Sequence, residues 1–369
     1  MGWHKTDDDY FMTKVSPRRA QLQLAAFAIH LSMGNNVYMK RIRLSTIKAY
    51  VNAVSDVVRT QRKDRRDVRF DGQGDTTFGR SLNSIYKEIK RYEDVPNRRE
   101  PFTPKMLANY IQYASTYSTF SLERALADWF IIGTFAGLRC GEYAQTKTNL
   151  RDPHKPAKNC RGGTRAFCIN DVRFRLKTGK YVTGAAITSV NPSLIASMWL
   201  KFRTQKNGQN GVERLFEPVQ GKDKSFCPIR AVYRIIQRFC ALCHPLHTTT
   251  PLSVYKAKNG VVQLITSDNI TKQMRQCACR TYNLTKGKDD AHINRWSAHS
   301  LRVGACVFLH SQGFSPLDIK WLLRWESDAY FVYLRNFSGL AKKHTRAFEN
   351  IPDDAIGPAM PHVFVAPSA

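Results

Sequence analysis

Apolar residues recur at helical spacing through the first hundred positions. Leu22, Leu24, Ala25, Ala26, Phe27, Ile29 and Leu31 form one block, ended by Gly34-Asn35-Asn36, which predicts a helix over 17–33. Ser45 has the character of an N-cap, and Ile47, Tyr50, Val51, Val54, Val57 and Val58 predict a second helix behind it. Leu82, Ile85, Tyr86 and Ile89 predict a third over 81–92. The pattern breaks at 93–101, a polar stretch with two prolines, so a linker is expected there after a small helical domain over 1–97. Thr103-Pro104 then supplies a cap and a first-turn proline for a helix over 104–117, and another is predicted over 122–135.

Beyond Glu142 the period shortens to that of strands. Segments 167–175, 196–203 and 212–216 carry β-branched and aromatic residues, and Asn207 to Gly211 supplies a turn between the last two. Helical spacing resumes at Pro228 and is expected to hold to about residue 348, with a polar tail over 351–369. The expected fold class is α+β, mainly α: an N-terminal helical domain, then a mixed domain over 98–350 with a small antiparallel sheet.

Charge narrows the partners. The 369 residues hold 57 Lys+Arg against 29 Asp+Glu, a formal +28 spread along the chain. Such an excess holds a polyanion and makes binding salt-dependent. A ribosomal-type basic protein is the bland alternative, but 43% hydrophobic residues over this length imply buried cores. The nine cysteines are odd in number and irregularly spaced, which reads as reduced thiols in an intracellular protein. No signal-peptide-like apolar run opens the chain and no uninterrupted apolar segment suits a membrane span, so a soluble protein without a membrane partner is expected. Lys40-Arg41-Ile42-Arg43 and Arg62-Lys63-Asp64-Arg65-Arg66 suit nuclear import and phosphate contact equally. Cys240-Ala241-Leu242-Cys243-His244 formally matches a haem attachment, and with Cys277 and Cys279 suggests zinc; buried free thiols are the expected reading, with no metal or cofactor.

Four groups suit phosphodiester chemistry. Arg139, in Ala136-Gly137-Leu138-Arg139-Cys140-Gly141-Glu142, offers a planar fork for two phosphate oxygens, although an arginine after a helix is more often a surface ion-pair partner. Gly137 and Gly141 would allow close backbone approach, and Glu142 can orient a nearby arginine. His299-Ser300-Leu301-Arg302 sets an imidazole and a guanidinium on one helical face, a pattern also common by chance. Trp325 can give one N–H to a phosphate but cannot exchange protons, and a core tryptophan at a helix end is an equal reading. Tyr333 is a candidate nucleophile whose phenol needs cationic neighbours to favour the phenolate; Tyr330 is its rival.

Taken in order, these segments resemble the catalytic domain of the tyrosine recombinases, the phage-integrase superfamily, and span about 200 residues. The resemblance implies that Arg139 and Arg302 clamp the scissile phosphate while His299 assists in proton transfer or phosphate contact. It puts Trp325 where the family has His or Trp, and makes Tyr333, followed by Leu334-Arg335-Asn336, the nucleophile. Trp325 and Tyr333 are eight residues apart, one fewer than in most members, which is similar to the recombinases of eukaryotic cryptons. Arg324 stands where the family has a small residue. A hairpin lysine acting as general acid is implied at Lys206, with Lys177 and Lys180 competing. The N-terminal helices resemble a core-binding domain that closes a clamp on DNA, with Lys40, Arg41, Arg43, Lys48 and Arg91 as phosphate contacts. The implied activity is site-specific recombination of double-stranded DNA through a 3′-phosphotyrosine and a Holliday junction. It would be carried out by a homotetramer from a mobile element, without metal or ATP, in the nucleus of a eukaryote or otherwise in cytoplasm or nucleoid. The alternative is a domesticated, catalytically silent DNA-binding protein, with a type IB topoisomerase third.

Overall fold

The computed structural model describes residues 16–35, 41–61, 67–70, 79–93, 98–144, 166–203, 210–220, 224–243, 248–326 and 328–334. The chain divides into two compact units, Met1–Asn97 and Arg98–Ala369.

In the first unit, α1 (Pro17–Ser32), α2 (Leu44–Gln61) and α3 (Arg80–Arg91) bury one apolar face each. Leu24, Ala28, Ile47, Val51 and Leu82 meet in their core. Ser16 caps α1, accepting from the Arg19 N–H at 3.3 Å, and Pro17 follows at the first helical position. Ser45, expected as the cap of α2, lies inside it. The helix starts two residues earlier than that cap implies, at Leu44, whose N–H is accepted by the Glu93 carboxylate, from beyond α3, at 2.9 Å.

In the second unit, Thr103 caps α4 (Pro104–Ser115), accepting from the Met106 N–H at 3.3 Å. The following α5 (Leu122–Ala136) is buried along most of its length. It packs against α4, α7 (Pro228–Leu242) and α10 (Ser300–Ser311). Its one buried acid, Asp128, is held by Arg234 Nε at 2.7 Å and Arg238 Nη2 at 2.6 Å. Gly137 ends α5 at φ 55°, and the single-turn α6 (Cys140–Tyr143) follows.

The sheet is antiparallel, with strand order β2-β1-β3-β4, from β1 (Val172–Leu176), β2 (Tyr181–Thr183), β3 (Ile195–Phe202) and β4 (Val212–Phe216). The strand expected over 167–175 begins as a 3₁₀ turn, Ile169–Asp171, because the Asp171 carboxylate takes the Cys168 N–H at 2.7 Å. Register fixes which turns share an end of the sheet. Leu176 pairs with Ile195 and Phe202 with Val212, so the β1–β2 and β3–β4 turns lie at opposite ends of β3. Seven residue steps of about 3.3 Å put those ends roughly 23 Å apart.

The helices expected after Pro228 are interrupted by a hairpin of β5 (Val254–Lys256) and β6 (Val262–Leu264), turned at Asn259-Gly260 with Gly260 at φ 81°. The chain continues through α8 (Ser267–Tyr282), the single turn α9 (Asp290–Ile293), α10, α11 (Pro316–Leu323) and a 3₁₀ turn, Asp328–Val332. The helicity expected up to 348 and the expected tail lie outside the described residues. No helix among the described residues is long and apolar enough to cross a membrane.

Candidate active site

The site is built where the end of α5, the start of α10 and the segment after α11 converge. Arg139 is the N-cap of α6; its backbone N–H goes to Glu142 Oε2 at 2.8 Å and its guanidinium lies 3.4 Å from Glu142 Oε1. Glu142, buried, is held from the other side by Arg324, whose Nη2 lies 3.0 and 3.3 Å from the two carboxylate oxygens. Gly141, expected to permit close approach, has open space where a Cβ would stand; Gly137 is favoured as glycine because it stands in the left-handed region at φ 55°, and a Cβ there would also push on Leu323 Cδ2, 2.6 Å away.

His299 is the N-cap of α10 and Arg302 falls within its first turn, so the two are one turn apart without both being helical. Two contacts set the helix in place. The Phe102 N–H donates to the Ser300 carbonyl at 2.9 Å, and Gly304 lies so close that a Cβ would stand 2.2 Å from the Phe102 carbonyl oxygen. Arg302 is buried, donates from Nη1 to the Gly137 carbonyl at 2.7 Å and lies over the Trp325 ring, 4.7 Å from its centroid.

Trp325 is 9% exposed, and its Nε1–H has no hydrogen-bond partner among the described residues. Its ring centroid is 5.2 Å from that of Tyr333. The Tyr333 hydroxyl lies 2.7 Å from His299 Nε2. Tyr330, the rival, is 1% exposed and packs with Cys306, Ile319, Leu323 and Trp325 in the interior of an apolar cluster, against whose edge Tyr333 is only partly buried. Tyr330 lies inside the 3₁₀ turn Asp328–Val332 and is held in the apolar interior, whereas Tyr333 falls just past the end of that turn, tied to it by its N–H to the Tyr330 carbonyl at 2.9 Å, and reaches His299.

Electrostatics define the protonation states. Burial pushes the Arg302 guanidinium down to about 9, with Arg139 and Arg324 adding to the effect and Glu142 opposing it, so it stays charged at neutral pH. Withdrawal of the phenol from water raises the Tyr333 pKa above its ordinary value; Arg302 opposes this most, Cys306 reinforces it and Arg139 opposes it. The expected cations are present, but desolvation outweighs them, and the phenol keeps its proton. His299 is exposed, yet its surroundings withdraw the ring from part of its water. Partial desolvation first, then the charges of Arg302, Arg99 and Arg139, hold its pKa below the usual histidine value. A neutral imidazole thus faces a protonated phenol across one hydrogen bond, which suits proton transfer to nitrogen.

Two contributors were not legible in the sequence. Arg99 acts on His299 from the start of the unit, where its Nη1 donates to the Asn294 carbonyl at 2.8 Å; in the sequence it is one arginine of a polar linker. Arg324 stands where a small residue was expected. Lys206 and Lys40 lie outside the described residues. Lys177 and Lys180 occupy the β1–β2 turn, at the end of the sheet away from Phe202, whose ring carries the Arg324 guanidinium at 3.5 Å. In the first unit Lys48 and Arg91 line one concavity with Lys87 and Lys90, while Arg41 and Arg43 line another. Cys240, Cys243, Cys277 and Cys279 are free thiols, and no group of three His, Cys, Asp or Glu side chains among the described residues is placed to hold a metal.

No protein-family model and no curated protein sequence matches the chain. Solved structures similar to the chain include integrases and a site-specific recombinase. The Tn1549 transposon integrase in complex with transposon right end DNA is 14% identical with a TM-score of 0.43, over 94% of this chain and 95% of that one. The XerH site-specific recombinase bound to palindromic difH substrate is 11% identical with a TM-score of 0.45, over 92% and 76%. A lambda integrase dimer bound to a COC′ core site is 10% identical with a TM-score of 0.36, over 89% and 93%. Identity this low carries no residue role from one chain to another.

Proposed function

We propose that this protein is a site-specific DNA recombinase that cleaves and rejoins strands through Tyr333. The observation that carries the reading is the 2.7 Å contact between the Tyr333 hydroxyl and His299 Nε2, in front of the Arg302 and Arg139 guanidiniums. A phosphodiester seated there meets two guanidiniums for its non-bridging oxygens, and the buried, unpartnered Trp325 indole N–H becomes a further donor once the ring turns toward it. The Tyr333 oxygen attacks phosphorus while its proton passes to His299; the bond to the 5′ oxygen breaks and that oxygen takes a proton from Lys206. The product is a 3′-phosphotyrosine ester and a free 5′ hydroxyl, and reversal by another 5′ hydroxyl rejoins the strand. The energy of the backbone bond is kept in the ester, so neither ATP nor metal is required.

On this reading the first unit holds duplex DNA through Arg41, Arg43, Lys48 and Arg91. A homotetramer exchanges strands through a Holliday junction, and the protein belongs to a mobile element, working in the nucleus if its host is a eukaryote. The formal +28 favours a polyanionic partner.

The test uses purified protein and nicked suicide duplexes from the ends of its element, without metal or ATP, scored for a protein–DNA adduct that survives denaturation. The expected result is an adduct that Tyr333→Phe abolishes and Tyr330→Phe retains. DNA binding without any adduct supports the silent DNA-binding protein instead, and an adduct persisting in Tyr333→Phe removes Tyr333 from the role.

A further inference from the structure

Arg324 ends α11 in the left-handed region at φ 57°. A side chain other than glycine there strains the backbone and persists only where its surroundings hold it. The guanidinium is buried completely, with a side-chain exposure of 0%. It donates to the Ala136 carbonyl at 2.8 Å and to both oxygens of Glu142, and it lies 3.5 Å from the Phe202 ring centroid. A strained backbone and a desolvated charge are therefore spent on one arrangement, in which a single carboxylate is shared between Arg324 and Arg139.

We propose that Arg324 is a positioning residue that keeps Arg139 available to phosphate by occupying Glu142. The inference rests on the proposed phosphate site and adds a residue whose action runs through Glu142. With Arg324 in place, Glu142 is neutralised from behind, at 3.0 Å, and its grip on the Arg139 guanidinium is the longer 3.4 Å contact. Without Arg324, the carboxylate has Arg139 as its nearest counter-charge. It then draws that fork away from the phosphate and cancels its charge. The same residue fixes the turn that carries Trp325, whose backbone N–H closes on the Lys320 carbonyl at 2.8 Å. One side chain thus holds both flanks of the site at their spacing.

The test is a double-variant cycle with Arg324→Met, Glu142→Gln and the pair combined, in the full chain. Glutamine keeps an acceptor for the Arg139 N–H but carries no charge. Inorganic phosphate is titrated against each protein and followed on the arginine Nε–Hε resonances, with Arg139 assigned by substitution. Arg324→Met is expected to weaken phosphate binding about tenfold or more, as for one lost charge-assisted hydrogen bond. The combined variant is expected to return to within about threefold of the wild type, because the competing carboxylate is gone. Phosphate affinity unchanged in Arg324→Met, or no recovery in the combined variant, overturns the proposal. Loss of folding in both overturns it too, leaving Arg324 a purely structural role. Adduct formation by the wild type is scored separately. An adduct without the phosphate coupling sinks this inference alone, and coupling without an adduct sinks the recombinase reading alone.

Discussion

Gly304→Ala tests how α10, and with it Arg302, is set against the rest of the unit. A Cβ at 304 would stand 2.2 Å from the Phe102 carbonyl oxygen and 3.0 Å from the Phe102 carbonyl carbon and nitrogen, all of them backbone atoms. Ordinary contact begins at 3.4 Å, so one of the two segments must retreat by about 1.2 Å. Phe102 cannot do so cheaply. Its N–H is bonded to the Ser300 carbonyl, its ring packs 5.0 Å from that of Phe130, and the preceding Pro101 carbonyl accepts from Trp296 Nε1 at 3.2 Å. Overpacking against immovable atoms costs about 3 kcal/mol, and the better helix propensity of alanine returns about 1, leaving a net loss of about 2 kcal/mol. Arg302 would move with the helix, and a shift of about 1 Å at a phosphate clamp lowers the rate about 100-fold. Urea denaturation and the single-turnover rate of adduct formation read the two effects. Gly141→Ala is the control: nothing lies within 4 Å of its Cβ, so it should be neutral or slightly stabilising. A Gly304→Ala protein as stable as wild type, with an unchanged rate, would refute the packing argument.

Four further expectations concern charge and burial. On the proposed reading His299 takes the Tyr333 proton as a neutral imidazole, its pKa held below the ordinary histidine value, so cleavage should persist as pH falls to about 6.5 and decline below it. Arg99→Gln removes one of the charges that disfavour the imidazolium, so the acid limb of the pH–rate profile should move to higher pH; an unmoved limb would contradict the assignment. Asp128→Asn leaves Arg238 buried without its carboxylate and should cost about 3–5 kcal/mol by urea denaturation, and a loss below about 1 would show the pair to be dispensable. Tyr330→Ala empties a fully buried site and should destabilise the unit by about 3–5 kcal/mol, whereas Tyr330→Phe should leave the adduct yield intact; loss of adduct in the phenylalanine variant would return Tyr330 to the site.

The mainly helical fold with its small antiparallel sheet was legible from periodicity, because α1, α3, α4, α5 and β4 each carry their own apolar pattern and punctuation. Elements that depend on distant partners were not. The start of α2 is set by Glu93, a residue 49 positions away, and no local reading of Ser45 finds it. The β5–β6 hairpin has strands of three residues, too short for a period, although Asn259-Gly260 is a turn signal that could have exposed it. At the candidate site, Arg139, His299, Arg302, Trp325 and Tyr333 were legible as motifs, and the structure brings them together. Arg324 was not, since an arginine in place of a small residue reads as a departure until its guanidinium is seen against Glu142. Arg99 was not, because its influence on His299 comes from tertiary placement, which no spacing in the sequence encodes.

The contacts that join the two flanks of the site bridge long stretches of chain. Arg302 reaches the Gly137 carbonyl across 165 residues, and Arg324 reaches the Ala136 carbonyl across 188. Contacts of such separation carry a high loop-closure cost and form slowly compared with the helices they connect. The segment with Arg139 is made long before Arg302, Arg324 and Tyr333. On the proposed reading, a chain that has not yet reached Tyr333 carries half a phosphate clamp and no nucleophile, so strand cleavage is withheld until both flanks of the site have met.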